Sequence, residues 1–228
     1  MIVPDGLLAA PWAAVGWAIA LSIAALAGLA AARRRQAGQA PLGPRRFDVH
    51  AWFATVLALA IVWQIAFQAE HGVGLHFLGA FVAVAMFGPL AAGLALAAAL
   101  AAVTLNTGVG WASYGLNALL LAVWPVAFAA TWLRLVHRWL PHHLFVYIFA
   151  NGFFGAGATV LATGALAAGL LAAGSAQPFA YLGDSGFVSV LLLAFSEAWL
   201  SGMLLTLLVV YRPRWVTSFD DRDYMLTK

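Results

Sequence analysis

Apolar runs of membrane length recur from one end of this 228-residue chain to the other, and that pattern restricts the fold to one that lives in lipid. A helix of about 20 consecutive apolar residues spans the hydrocarbon core of a bilayer. Clear runs are Pro11–Ala32, His50–Gln68, Ser113–Leu133, Leu144–Ala173 and Ser185–Tyr211. Charged residues make up 8% of the chain, against about 25% in an ordinary soluble domain. So few charges cannot cover a water-facing surface. A soluble enzyme and a disordered tail are both excluded. The chain has no cysteine, which removes disulfides, thiolate catalysis and thiolate metal ligation.

One further apolar block, Leu75–Asn106, runs 32 residues and is too long for a single upright helix. Gly88–Pro89 lies near its middle. Proline lacks an N–H and disfavours helix at the residue before it, so the block is one kinked helix or two short helices joined by a tight turn. Charge placement separates the two. With the block split at Gly88–Pro89 and the N-terminus outside, Arg33, Arg34, Arg35, Arg45, Arg46, Arg134, Arg138, Arg212, Arg214, Arg222 and Lys228 all fall on the cytoplasmic side. With the block unsplit, Arg134 and Arg138 fall opposite the Arg33–Arg46 cluster. The excess of basic residues in cytoplasmic loops therefore favours an all-α, polytopic membrane protein of about seven transmembrane helices, N-terminus outside and C-terminus cytoplasmic. Residues 1–215 read as a single transmembrane permease domain and 216–228 as a short cytoplasmic tail. The first residues carry no basic region and include Asp5, so the first span reads as retained rather than as a cleaved signal peptide.

In such a chain the polar minority carries the information. The turn from Gln68 to His76 places His71 and His76 near the outer face, with Glu70 beside them. Imidazole and carboxylate suit divalent first-row metals. The same two histidines read equally as a buried hydrogen-bonding group and a solvated one. Glu197 falls in the middle of the last span, where it serves either a proton path or an interhelical anchor. Asn106, Asn117 and Asn151 read as polar glue between helices. The stripe Gly16, Ala20, Ala24, Gly28 lets another backbone approach, from within the bundle or from a partner subunit. His142 and His143, close to Arg134, His137 and Arg138, read as a basic interfacial belt.

The chain has no P-loop, no dinucleotide fingerprint, no zincin motif and no nucleophile elbow. Its basic residues are not interleaved with aromatics as a nucleic-acid groove requires. Three functions remain: a metal-ion permease, an intramembrane enzyme using Glu197, Ser196 or His76, and a membrane accessory or assembly protein without a substrate.

Five pieces, in order, carry a family resemblance: MIVPDGLL at the start, GLHFLGAFVAVAMFGPLAAGL at 74–94, GLNALLLAVWPV at 115–126, FANGFFGA at 149–156 and SEAWLSGMLLTLLVVYRP at 196–213. Together they are spread over nearly the whole chain, from residue 1 to residue 213. It resembles the CbiM-type permeases, the substrate-capture components of energy-coupling-factor transporters, a class of ABC transporter, for cobalt and nickel. The resemblance implies a bacterial-type inner (plasma) membrane, a membrane coupling subunit and cytoplasmic ATPase subunits as partners, and no covalently bound cofactor. It also implies that the N-terminus folds back so that its amine, at Met1, joins a later histidine, here His76, around the metal. The family's second-position histidine is replaced by Ile2. Three readings follow: a different metal, a replacement ligand from His71, Asp5 or Glu70, or a related protein that no longer transports metal.

Overall fold

The computed structural model describes residues 2–5, 10–37, 48–65, 67–68, 74–108, 110–174 and 184–220. Six long helices account for most of them: α1 (Ala10–Gln36), α2 (Val49–Gln64), α3 (Ala80–Thr107), α4 (Tyr114–Trp139), α5 (Leu144–Gly174) and α6 (Asp184–Tyr211). Helices α3 to α6 each contain a stretch long and apolar enough to cross a bilayer, and α1 and α2 add shorter apolar stretches over Pro11–Leu26 and Val49–Gln64. The second run was expected to reach Gln68. It stops at Gln64 because Phe67–Gln68 (β1) pairs antiparallel with Gly74–Leu75 (β2), the only sheet among the described residues.

Each helix follows from its local sequence. Asp48 starts α2: its Oδ1 accepts the N–H groups of His50 and Ala51 at 2.9 and 3.2 Å, which serves donors left over at a helix start. Helix α4 contains Pro125, which cannot donate to the ladder, and the turn before it, Leu119–Val123, widens to the five-residue bonding pattern. A widened turn lets a helix continue past a lost bond. Helix α1 packs on the start of α4 through two glycines. A Cβ on Gly16 would lie 2.7 Å from the Leu116 nitrogen, and one on Gly115 would lie 2.6 Å from the Trp17 backbone. The small-residue stripe of α1 thus serves internal packing at Gly16, whereas Ala24 and Gly28 farther along are exposed.

Helix α3 is broken at Gly88, whose φ of 74° and ψ of 170° are not helical and which precedes Pro89. The contacts on either side show which way each arm runs. In the first arm and its lead-in, His76 meets Trp63 near the end of α2, Gly79 meets Leu59, and Val82, Met86 and Phe87 join a cluster with Ala51 and Trp52 near its start. In the second arm the order inverts. Trp52 Nε1 donates to Ala91 O at 2.9 Å, and Asn106 Nδ2 donates to Gln64 Oε1 at 3.0 Å. The arms 80–87 and 89–107 therefore run in opposite directions along α2, and the chain turns back at Gly88–Pro89.

The break leaves carbonyls without helical donors, because Pro89 has no N–H to offer Ala85. The segment after α6 supplies them. Thr217 N donates to Met86 O at 3.3 Å and Ser218 N to Ala85 O at 3.1 Å. Tyr147 Oη and Ser218 Oγ are 2.6 Å apart, and Val216 and Phe219 are buried beside them. The main core forms where both α3 arms meet α4, α5 and α6; it includes Phe81, Leu96, Leu100, Leu120, Leu121 and Val160, and it takes in Ile2, Val3, Trp63, Leu75 and Leu78 as well.

Candidate metal centre

His76 lies in the irregular run 76–79 that leads into α3; the middle of α6 anchors that run, and the N-terminal residues pack into the same core. The N-terminal residues enter first. Ile2 and Val3 are buried and share one apolar cluster with Trp63, Leu75 and Leu78. A buried peptide group must find partners. Asn117 on α4 supplies both, accepting from Val3 N through Oδ1 at 2.8 Å and donating from Nδ2 to Val3 O at 2.9 Å. A carboxamide offers one donor face and one acceptor face, so a single side chain holds this strand as a neighbouring strand would.

Asp5 closes the segment at the surface. Its Oδ1 accepts the Ser113 N–H at 2.7 Å, and the carboxylate abuts Gly110. Desolvation pushes this carboxyl up, but hydrogen bonds from the Ser113 side chain and from the Ser113 and Ala112 backbones outweigh it and hold it below its ordinary value. Expected as a ligand, Asp5 here ties the N-terminal segment to the turn that starts α4.

His76 is 2% exposed. Its Nδ1 lies 3.0 Å from Phe77 O. A carbonyl only accepts, so Nδ1 carries the proton in that bond and the ring's lone pair sits on Nε2. A ring nitrogen fixed by a backbone carbonyl is a common way of orienting metal-binding histidines. The Trp63 indole packs against the imidazole, with ring centroids 4.7 Å apart.

Glu197 determines where His76 stands. It is buried, with Oε2 accepting Leu78 N at 2.8 Å and Oε1 accepting Gly79 N at 2.7 Å; Ser201 Oγ, one turn along α6, lies 3.3 Å from Oε1. Run 76–79 is neither helix nor strand, so nothing in its own secondary structure satisfies those two amides. Gly79 adopts φ 63°, a left-handed conformation that turns the chain into α3. A carboxylate at that point also suits the positive end of the helix that follows. Of the two roles open to Glu197 from sequence, the geometry supports the anchor. Its partners across the bundle are backbone amides, and the side chain it accepts from, Ser201, lies on its own helix.

Met1, Glu70 and His71 lie outside the described residues. Among those described, no group of three or more His, Cys, Asp or Glu side chains is brought together to hold a metal. His137 and His142 meet far from His76 at the exposed end of α4, with Nδ1 and Nε2 3.2 Å apart, and His143 accepts the Phe145 N–H at the start of α5. Trp63 escaped the sequence reading: one tryptophan among ten carries no signal that distinguishes a neighbour of His76 from a membrane anchor.

The family model described as CbiM, cobalt uptake substrate-specific transmembrane region, matches residues 3–215. No curated protein and no solved structure matches the chain significantly. The family match spans nearly the whole chain, including the N-terminal segment from Val3, the His76 run and the helix that carries Glu197. The chain belongs to the CbiM family and is a multi-pass transmembrane component of cobalt uptake.

Proposed function

We propose that this chain is the substrate-capture subunit of an energy-coupling-factor transporter for a divalent transition-metal ion of the cobalt or nickel class. The observation that carries the reading is the N-terminal segment drawn into the bundle by Asn117, with Ile2 buried in the same main core that takes in Trp63, Leu75 and Leu78. His76 Nε2 and the Met1 amine are the proposed nitrogen ligands, with His71 assisting. Such donors suit cobalt and nickel. A hydrated divalent cation cannot cross lipid unaided, and the chain has no P-loop. The energy comes from cytoplasmic ATPase subunits through a membrane coupling protein.

The reading places the chain in a bacterial-type inner membrane with seven passes, the N-terminus outside and the C-terminus inside. The reversal at Gly88–Pro89 supports the odd number, because the apolar block turns back on itself instead of running one way. Single cysteines on this cysteine-free background test the topology. Those at positions 72 and 180 label from outside, and those at 40 and 140 from the cytoplasm. Labelling of 140 from outside contradicts the seven-pass arrangement.

Function is tested by titrating cobalt or nickel into the detergent-purified chain. Ile2 supplies no ligand atom, so Ile2→His is expected to tighten binding by at least the 10–100-fold that a lost supporting contact costs a metal site. If the parent binds neither metal and Ile2→His gains neither, the capture reading fails.

A further inference from the structure

We propose that the metal is captured with an oxygen ligand, a water or hydroxide, still attached, and that the indole N–H of Trp63 holds that oxygen. The inference rests on the capture reading above and specifies the form of its substrate. Trp63 is 1% exposed, and its Nε1 has no hydrogen-bond partner. A buried donor left unpaired costs about 1–3 kcal/mol, and native structures contain few of them. Other tryptophans in this chain follow the rule. Trp17 donates to Trp111 O at 3.1 Å, Trp52 to Ala91 O at 2.9 Å and Trp132 to Ala150 O at 2.8 Å.

The His76 ring is not the missing acceptor. An N–H that donates to a π face approaches it edge-on, whereas the indole and imidazole planes are inclined by only 39°. The unpaired donor therefore belongs to the ring that packs on the proposed ligand. An indole N–H is a donor only, so it does not bind a metal, but it does bind an oxygen carried by one.

The neighbouring side chains explain why that oxygen stays on the metal. The side chain of Ile2, buried in the same core as Trp63, has no atom with which to ligate. No set of three metal-binding side chains is assembled among the described residues. With an isoleucine side chain at position 2, the coordination position that an imidazole would fill there is left to solvent. A metal-bound water or hydroxide retains a lone pair that accepts an N–H, and removing it from bulk water is compensated by that bond.

The test is a cobalt chloride titration of four full-length proteins: the parent, Trp63→Phe, Ile2→His and the double variant. Phenylalanine keeps the packing on His76 and removes the N–H. Trp63→Phe is expected to weaken binding about 10-fold or more in the parent, and to shift the visible absorption of the bound cobalt. In the Ile2→His background the new imidazole takes the oxygen's place, so the same change costs less than about 3-fold, well under that range. Benzothienylalanine at position 63, which keeps the indole's shape without its N–H, reproduces the loss if Trp63→Phe perturbs the fold. Equal affinity of parent and Trp63→Phe, or an equal loss in both backgrounds, overturns the inference and leaves metal capture standing. Failure of all four proteins to bind cobalt overturns both.

Discussion

Replacing Asn117 with leucine is expected to weaken cobalt binding about 100-fold while the helices remain assembled. The carboxamide makes both bonds that hold Val3 inside the bundle. Each net hydrogen bond of this kind is worth about 1–1.5 kcal/mol, and two of them correspond to roughly a hundredfold in an equilibrium constant. Leucine fills a similar space but leaves the Val3 N–H and C=O unpaired in an apolar setting. The segment relieves that cost by withdrawing toward water, which takes the proposed N-terminal ligand away from His76. Asn117 is 1% exposed and sits among apolar neighbours, so the substitution does not unseat α4. Cobalt titration reads the loss, and unchanged helical content by circular dichroism shows the bundle intact. Near-parental affinity would mean that the N-terminal segment does not contribute to the site.

Glu197→Ala is expected to do more. It removes the acceptor from the Leu78 and Gly79 amides, and no helix or strand bond replaces it. Hydrogen bonds to a charged group are worth about 1.5–3 kcal/mol each, while polar contacts within membrane bundles average nearer 0.6 kcal/mol because the disordered chain also finds partners. The larger range applies here, since the acceptor serves irregular backbone at the point where the first α3 arm begins. A loss of about 3 kcal/mol in stability, together with loss of detectable cobalt binding, is the expected outcome. Glu197→Gln separates the two effects. A carboxamide has one accepting oxygen, so it keeps one backbone bond and turns a donor toward the other amide. This variant should fold, with affinity reduced about 10–100-fold. Parental binding by Glu197→Gln would show that the 76–79 run holds His76 without it.

The parts of this fold that were legible in the sequence were those set by bulk properties. Run length and apolarity located the helices to within a few residues at most ends, because lipid permits little else. Gly88–Pro89 could be recognised as a break because proline removes a donor and the arginines on either side of the block demanded a change of face. What could not be read was which backbone each polar side chain serves. Glu197 was visibly a buried carboxylate, but its partners are the amides of Leu78 and Gly79, 119 and 118 residues away, and amides carry no sequence signature. Asn117 was visibly polar glue, but its target Val3 is as apolar as any residue in the chain. Thr217 and Ser218 read as ordinary tail residues, although they complete the carbonyls exposed by the α3 break. At the proposed metal site His76 stood out by residue type. The orphan indole of Trp63 did not, because an unsatisfied donor is a property of its surroundings.

The central claim is that His76 and the chain's own amine capture the metal together. It is tested most directly by isothermal titration of cobalt into three purified proteins: the parent with Met1 as its first residue, the same chain with a Gly-Ser extension before Met1, and His76→Ala. The account predicts one cobalt per chain in the parent, a large loss of affinity with the extension, which buries no charge but converts the amine to an amide, and no binding in His76→Ala. Cobalt binding by His76→Ala at parental affinity would contradict it.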